Sequence, residues 1–212
     1  MLFLNNLTEN PFFFFAWIVV IVFSICVHEA SHAYAALRLG DDTAARAGHL
    51  SLNPLVQMGP TSLIMLALIG IAWGAVPVNI QRFRQPWAGA AVAFAGPAAN
   101  LLLCAVFALL SVLWERLGGP RGQEVDMFLR LGGVANGVLF VLNMLPVPML
   151  DGWSVFAYFF PAMGRVSPGQ SQTISLVLIA AVFLTPAGAL IWGLGGALAG
   201  SWTRLFGLVL GV

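Results

Sequence analysis

His28, Glu29 and His32 form the pattern H-E-x-x-H inside "VFSICVHEASHAYAA", residues 22 to 36. On an α-helix, residues i and i+4 lie one above the other, so both imidazoles can reach one ion while the glutamate points beside it. Zinc held this way lowers the pKa of a bound water to about 7, and a neighbouring carboxylate can take the proton. The setting sharpens this reading. The three residues lie in a 26-residue apolar run, Phe12 to Leu37, whose other titratable groups are Cys26 and Tyr34. A charged group near the middle of a membrane helix costs roughly 3 kcal/mol on insertion scales, so three together need a shared reason. Buried histidines bonded to carbonyls, with Glu29 as their partner, would be the plain alternative. A metal pairs all three at once.

Catalytic zinc takes three protein ligands and leaves one position open. Asp151 is the acidic residue other than Glu29 that borders an apolar segment, in "PMLDG" after Pro146 and Pro148. Those prolines unwind a helix end, which at membrane depth is tolerated where backbone lines a cavity. Asp151 is therefore the expected third ligand, against a plain turn aspartate followed by Gly152. His49 competes for the place, but it lies in a polar loop and reads as interfacial.

These groups must be positioned by membrane helices. The chain has 212 residues, 60% hydrophobic and 8% charged, with no Lys and nine Arg; a water-soluble domain carries about 25% charged residues. A net charge of +1 gives no polybasic signature and no nucleic-acid partner. Apolar runs without strand alternation predict an all-α membrane protein, a polytopic bundle of four to five helices. Helices are expected at about 12 to 37, 87 to 114, 127 to 145 and 172 to 199, the last bent near Pro186, with an apolar tail to Val212. Segment 61 to 75 is short for a crossing, which takes about 20 residues. Cys26 and Cys104 read as buried thiols, and the long first run lacks a cleavage site, so no cleavable signal peptide is expected. One membrane-embedded unit spans 1 to 212, with a zinc core at 12 to 153 and a C-terminal region at 172 to 212.

Two rules disagree about segment 61 to 75. If it crosses, the arginines split six to three between the two sides; if it does not, they split five to four, so the positive-inside rule favours crossing. Coordination requires the opposite. His28 and His32 lie toward the end of the first helix and Asp151 follows the helix at 127 to 145. The two helices must then run parallel, with one crossing between them. The metal constraint is the stricter, which makes 61 to 84 a re-entrant or interfacial β-like element.

The motifs H-E-A-S-H at 28 to 32, "AGPAAN" at 95 to 100 and "NMLPVPMLDG" at 143 to 152 together resemble the site-2 proteases, intramembrane zinc metalloproteases. "LSLNPL" and "VPVN" are similar to a compact prokaryotic subgroup without PDZ or CBS domains. The resemblance implies one zinc per chain on His28, His32 and Asp151, Glu29 as general base, and Asn143 as a substrate-binding residue. It also implies an edge near "AVPVN" that pairs with substrate. Asn136 extends a polar stripe from Asn143, while Gly96, Pro97 and Asn100 read as packing residues. Gln57 and Gly59 depart from the family, which has His and Asp there.

The expected function is an intramembrane endopeptidase acting on membrane protein substrates within the lipid bilayer, in a prokaryotic plasma membrane. The alternative is a zinc transporter or sensor, which would be expected to spread acids and histidines over several helices; a silent scaffold would have no need of Glu29.

Overall fold

The computed structural model describes residues 2–163, 169–170, 173–175, 177–178, 181 and 185–211. Helix α1 spans Pro11–Arg38. Its start follows from local chemistry: Pro11 occupies the first turn, and the Asn10 side chain accepts a hydrogen bond from the Phe13 amide at 3.1 Å. At 1.5 Å per residue its 28 residues run about 42 Å, enough to cross a hydrocarbon core of about 30 Å.

Helix α2, Gly59–Ile69, is different. Its 11 residues cover only about 16 Å. Gly70 ends it in the left-handed conformation, φ 76°, and the chain turns back on itself. Ser62 Oγ donates to the Trp73 carbonyl (2.7 Å) and accepts from the Trp73 amide (2.8 Å). Ala75 N then donates to Gln57 O at 3.1 Å, and Asn79 N to Asp41 Oδ2 at 2.6 Å. The tip sits at the level of Trp17, whose indole donates to the Gly70 carbonyl at 2.9 Å. Both ends of the excursion thus meet the C-terminal end of α1, as the coordination argument requires. The core of this region is Val20, Ile21, Ile25 and Cys26 of α1 against Met58, Leu66 and Ala135.

The returning segment, residues 71 to 79, has no strand assignment, and no described residue forms a β-ladder. From Trp73 onward its hydrogen bonding nevertheless alternates. The amides of Trp73, Ala75 and Asn79 bond to the chain's own groups, Pro77 has none to give, and those of Gly74, Val76 and Val78 have no partner among the described residues.

Helix α3 spans Ala88–Arg116 and α4 spans Glu124–Asn143. Among the described residues, α1, α3 and α4 are the helices long and apolar enough to cross a membrane, against the expected four to five. Helix α5, Asp151–Phe159, packs on α3; no helix was expected there. Helix α6 spans Ala187–Leu210, begins directly after Pro186, and packs on α3 and α4. The expected helix ended at 199; the apolar tail instead continues it, and its stretch from 172 to 184 lies largely outside the described residues.

Candidate active site

One turn of α1 carries His28, Glu29 and His32, all buried. Asp151 reaches them from the first turn of α5, because Pro146 and Pro148 stop the chain from continuing α4. His28 Nε2 lies 3.0 Å from Asp151 Oδ2, His32 Nε2 lies 3.3 Å from Asp151 Oδ1, and the two Nε2 atoms are 3.0 Å apart. Atoms bonded at about 2.0 Å to one tetrahedral ion sit about 3.3 Å from each other. The triangle has the size of one zinc shell, and its three residues form the cluster of potential metal ligands found among the described residues.

The far side of each ring is held by α3. His32 Nδ1 is 2.7 Å from the carbonyl of Val92. That oxygen can only accept, so Nδ1 carries the proton and Nε2 presents its lone pair. His28 Nδ1 lies 2.6 Å from Asn100 Oδ1. Asn100 is therefore more than the packing residue that the sequence suggested; a buried amide at helix spacing carries no signal of which ring it will face. Gly96 is a packing residue in a strict sense. A Cβ there would come within 2.5 Å of His28 Nε2, so α3 could not approach the imidazoles.

Asn136 does not extend a polar stripe into the site. It is fully buried and bonds to Asn100, Ser24 and the Gly132 carbonyl. Asn143 does line the site cavity, and its amide bonds to no described residue. His49 stands apart from the ligand cluster, with Nδ1 2.9 Å from Gln57 Oε1. Gln57 is buried and also donates to the carbonyls of His49 (2.8 Å) and Ser51 (2.5 Å), so where the family has His, this chain has a loop anchor.

The site opens into a cavity of about 630 Å³ walled by His28, Glu29, His32 and Asp151 on one side and by residues 72 to 76, Val78 and Ile80 on the other. Gly74 packs on the Glu29 side chain. Met149, at φ 74° and largely exposed, stands at the rim. An apolar cleft of about 160 Å³ shares Ile25, Ala72, Leu139 and Leu142 with this cavity.

The chain is 32% identical over 199 residues, covering 91% of each chain, to "Putative zinc metalloprotease YwhC" of Bacillus subtilis. The chain belongs to the site-2 family of zinc metalloproteases. Proteins named "Putative zinc metalloprotease Rip2" are also similar to this chain: that of Mycolicibacterium smegmatis is 29% identical over 77% of this chain and 64% of its own length, and that of Mycobacterium tuberculosis (strain H37Rv) 32% over 80% and 65%. No family profile and no solved structure matches the chain. Zinc is the metal of this chain, and the two free Nε2 lone pairs facing a carboxylate suit it.

Proposed function

We propose that the chain is an intramembrane endopeptidase that hydrolyses a peptide bond in or near a transmembrane segment of another membrane protein. The observation that carries this reading is the juxtaposition of Glu29, a three-ligand cluster and a line of unpartnered amides in one cavity inside a membrane helix bundle.

His28, His32 and Asp151 would hold the zinc. When bound, zinc supplies a Lewis acid that acidifies water and stabilises negative charge on the scissile carbonyl oxygen. Glu29 takes the proton from the attacking water and delivers it to the departing amine. The open amides of Gly74, Val76 and Val78 recur every second residue, as on the free edge of a strand, and an extended substrate can pair with them. That pairing would compensate the backbone bonds lost when a membrane helix unwinds. Asn143, with its amide uncommitted, reaches the same cavity and is assigned to the substrate backbone. Apolar substrate side chains would occupy the adjoining cleft. The protein is read as multi-pass in a prokaryotic plasma membrane.

The test uses purified chain in detergent micelles with end-labelled transmembrane peptides of differing sequence. Zinc-dependent cleavage within the apolar segment is expected. Zinc bound without cleavage of any membrane peptide or membrane protein would favour a transporter or sensor.

A further inference from the structure

The two histidines reach the same protonation pattern by different routes. His32 Nδ1 meets a backbone carbonyl directly. His28 Nδ1 meets a side-chain amide, which has an acceptor end and a donor end and can turn either toward the ring. Turned the wrong way, the Asn100 NH2 would face Nδ1, move the ring proton to Nε2 and block the lone pair that faces Asp151.

The bonds around Asn100 decide its direction. Asn100 Nδ2 donates to Asn136 Oδ1 at 3.0 Å. Asn136 Nδ2 donates in turn to the Gly132 carbonyl at 2.9 Å and to Ser24 Oγ at 2.9 Å. The Gly132 oxygen is the fixed point, since a carbonyl cannot donate. It holds the NH2 of Asn136 toward itself, so Asn136 Oδ1 faces Asn100. Asn100 must then present its own NH2 to Asn136 and its oxygen to His28. Every member of the chain is fully buried apart from the ring and the Gly132 backbone, with Ser24, Asn100 and Asn136 all at 0% exposure, so no solvent competes for these bonds.

We propose that Gly132, through Asn136 and Asn100, sets the tautomer of His28 and so keeps Nε2 free for zinc, making Asn136 and Asn100 positioning residues on two different helices. With His28 as a zinc ligand, as proposed above, the relay extends that site across α3 to α4.

The experiment is competition for zinc between a chromophoric chelator and the purified full-length chain, a reading independent of proteolysis. Asn100→Leu and Asn136→Leu should each weaken zinc binding about 10- to 100-fold, as loss of a partner behind a ligand histidine does. Asn100→Asp shows His28 an acceptor in either orientation, but its second oxygen meets Asn136 Oδ1, held toward it by Gly132, so the single variant should also bind zinc more weakly than wild type. Adding Asn136→Leu to Asn100→Asp removes that opposing oxygen, so the double variant should bind zinc at least as tightly as Asn100→Asp alone. A loss from Asn136→Leu equally large in both backgrounds would reduce Asn136 to a packing residue and overturn the relay, as would wild-type affinity in Asn136→Leu alone. His28→Ala separates the two layers: if it keeps zinc, the ligand assignment fails; if it loses zinc while both leucine variants keep it, the relay alone fails.

Discussion

The backbone of Gly74 and the carboxylate of Glu29 touch with no room for a methyl group between them. The returning segment and the proposed base therefore share one placement. Gly74→Ala should push the two apart and lower peptide cleavage at least tenfold while zinc content stays at the wild-type level. Cleavage assays paired with elemental analysis check this; unchanged turnover would separate the segment from the chemistry.

Glu29→Gln removes the proton acceptor and leaves the three ligand side chains in place. Cleavage should fall by about 100-fold or more, zinc should remain, and uncut substrate should co-purify with the variant. Normal turnover would sink the assigned role.

Metal content should track the ligand cluster. His28→Ala, His32→Ala and Asp151→Ala should each purify with well below one zinc per chain, and His49→Ala should not, since His49 is engaged with Gln57. The reverse pattern for Asp151 and His49 would mean that the shell was assigned wrongly.

Asp41 makes the returning segment sensitive to acid. Burial alone would raise its pKa, but hydrogen bonds from the Thr43 hydroxyl and from the Asn79 and Thr43 amides, with the charge of Arg82 nearby, outweigh this and hold it below the ordinary value of 3.8. A lowered folded-state pKa stabilises the fold above the unfolded pKa, and that stabilisation disappears as pH falls through the folded value. Melting in detergent should thus drop between pH 5 and pH 3, values spanning the ordinary aspartate pKa of about 3.9. Asp41→Asn should be less stable at neutral pH by about 1–3 kcal/mol and flatter across that window. Parallel curves for the two proteins would discount Asp41.

Single-cysteine labelling from either side should place 41 to 60 and 77 to 86 on one face and 115 to 126 on the other. The bonds Ala75 to Gln57 and Asn79 to Asp41 bring the ends of the excursion together. Labelling of 77 to 86 from the face opposite Arg38 would contradict the re-entrant reading.

The metal cluster was legible because charge is scarce in this chain: three costly groups at helix spacing and one aspartate beyond two prolines left little choice. The fold-back of the chain between Gln57 and Asn79 agrees with requiring those groups to meet at one depth. Other features left weaker traces. No helix was expected to start at Asp151, because Pro146 and Pro148 end the one before it, yet the same prolines free the chain to begin α5. The last helix was expected to bend at Pro186; instead α6 begins directly after it and carries the glycines at 193, 195, 196 and 200 inside the helix. Asn100 and Asn136 were visible as polar residues in apolar helices, but their partners lie 72 and 112 residues away on other helices, a pairing that only packing can specify.

The fold-back between Gln57 and Asn79 would also give the proposed hydrolysis a direction. Each cut creates an ammonium and a carboxylate where a neutral amide had been, and neither can rest in hydrocarbon. The segment that walls the cavity is tied to Asp41, just past the end of α1, by the Asn79 amide, so in the proposed reaction water would enter and the new charged termini would leave toward that compartment. Under the proposed reaction, one fragment would be set free on a single side of the membrane, which turns a bond cleavage into a vectorial release.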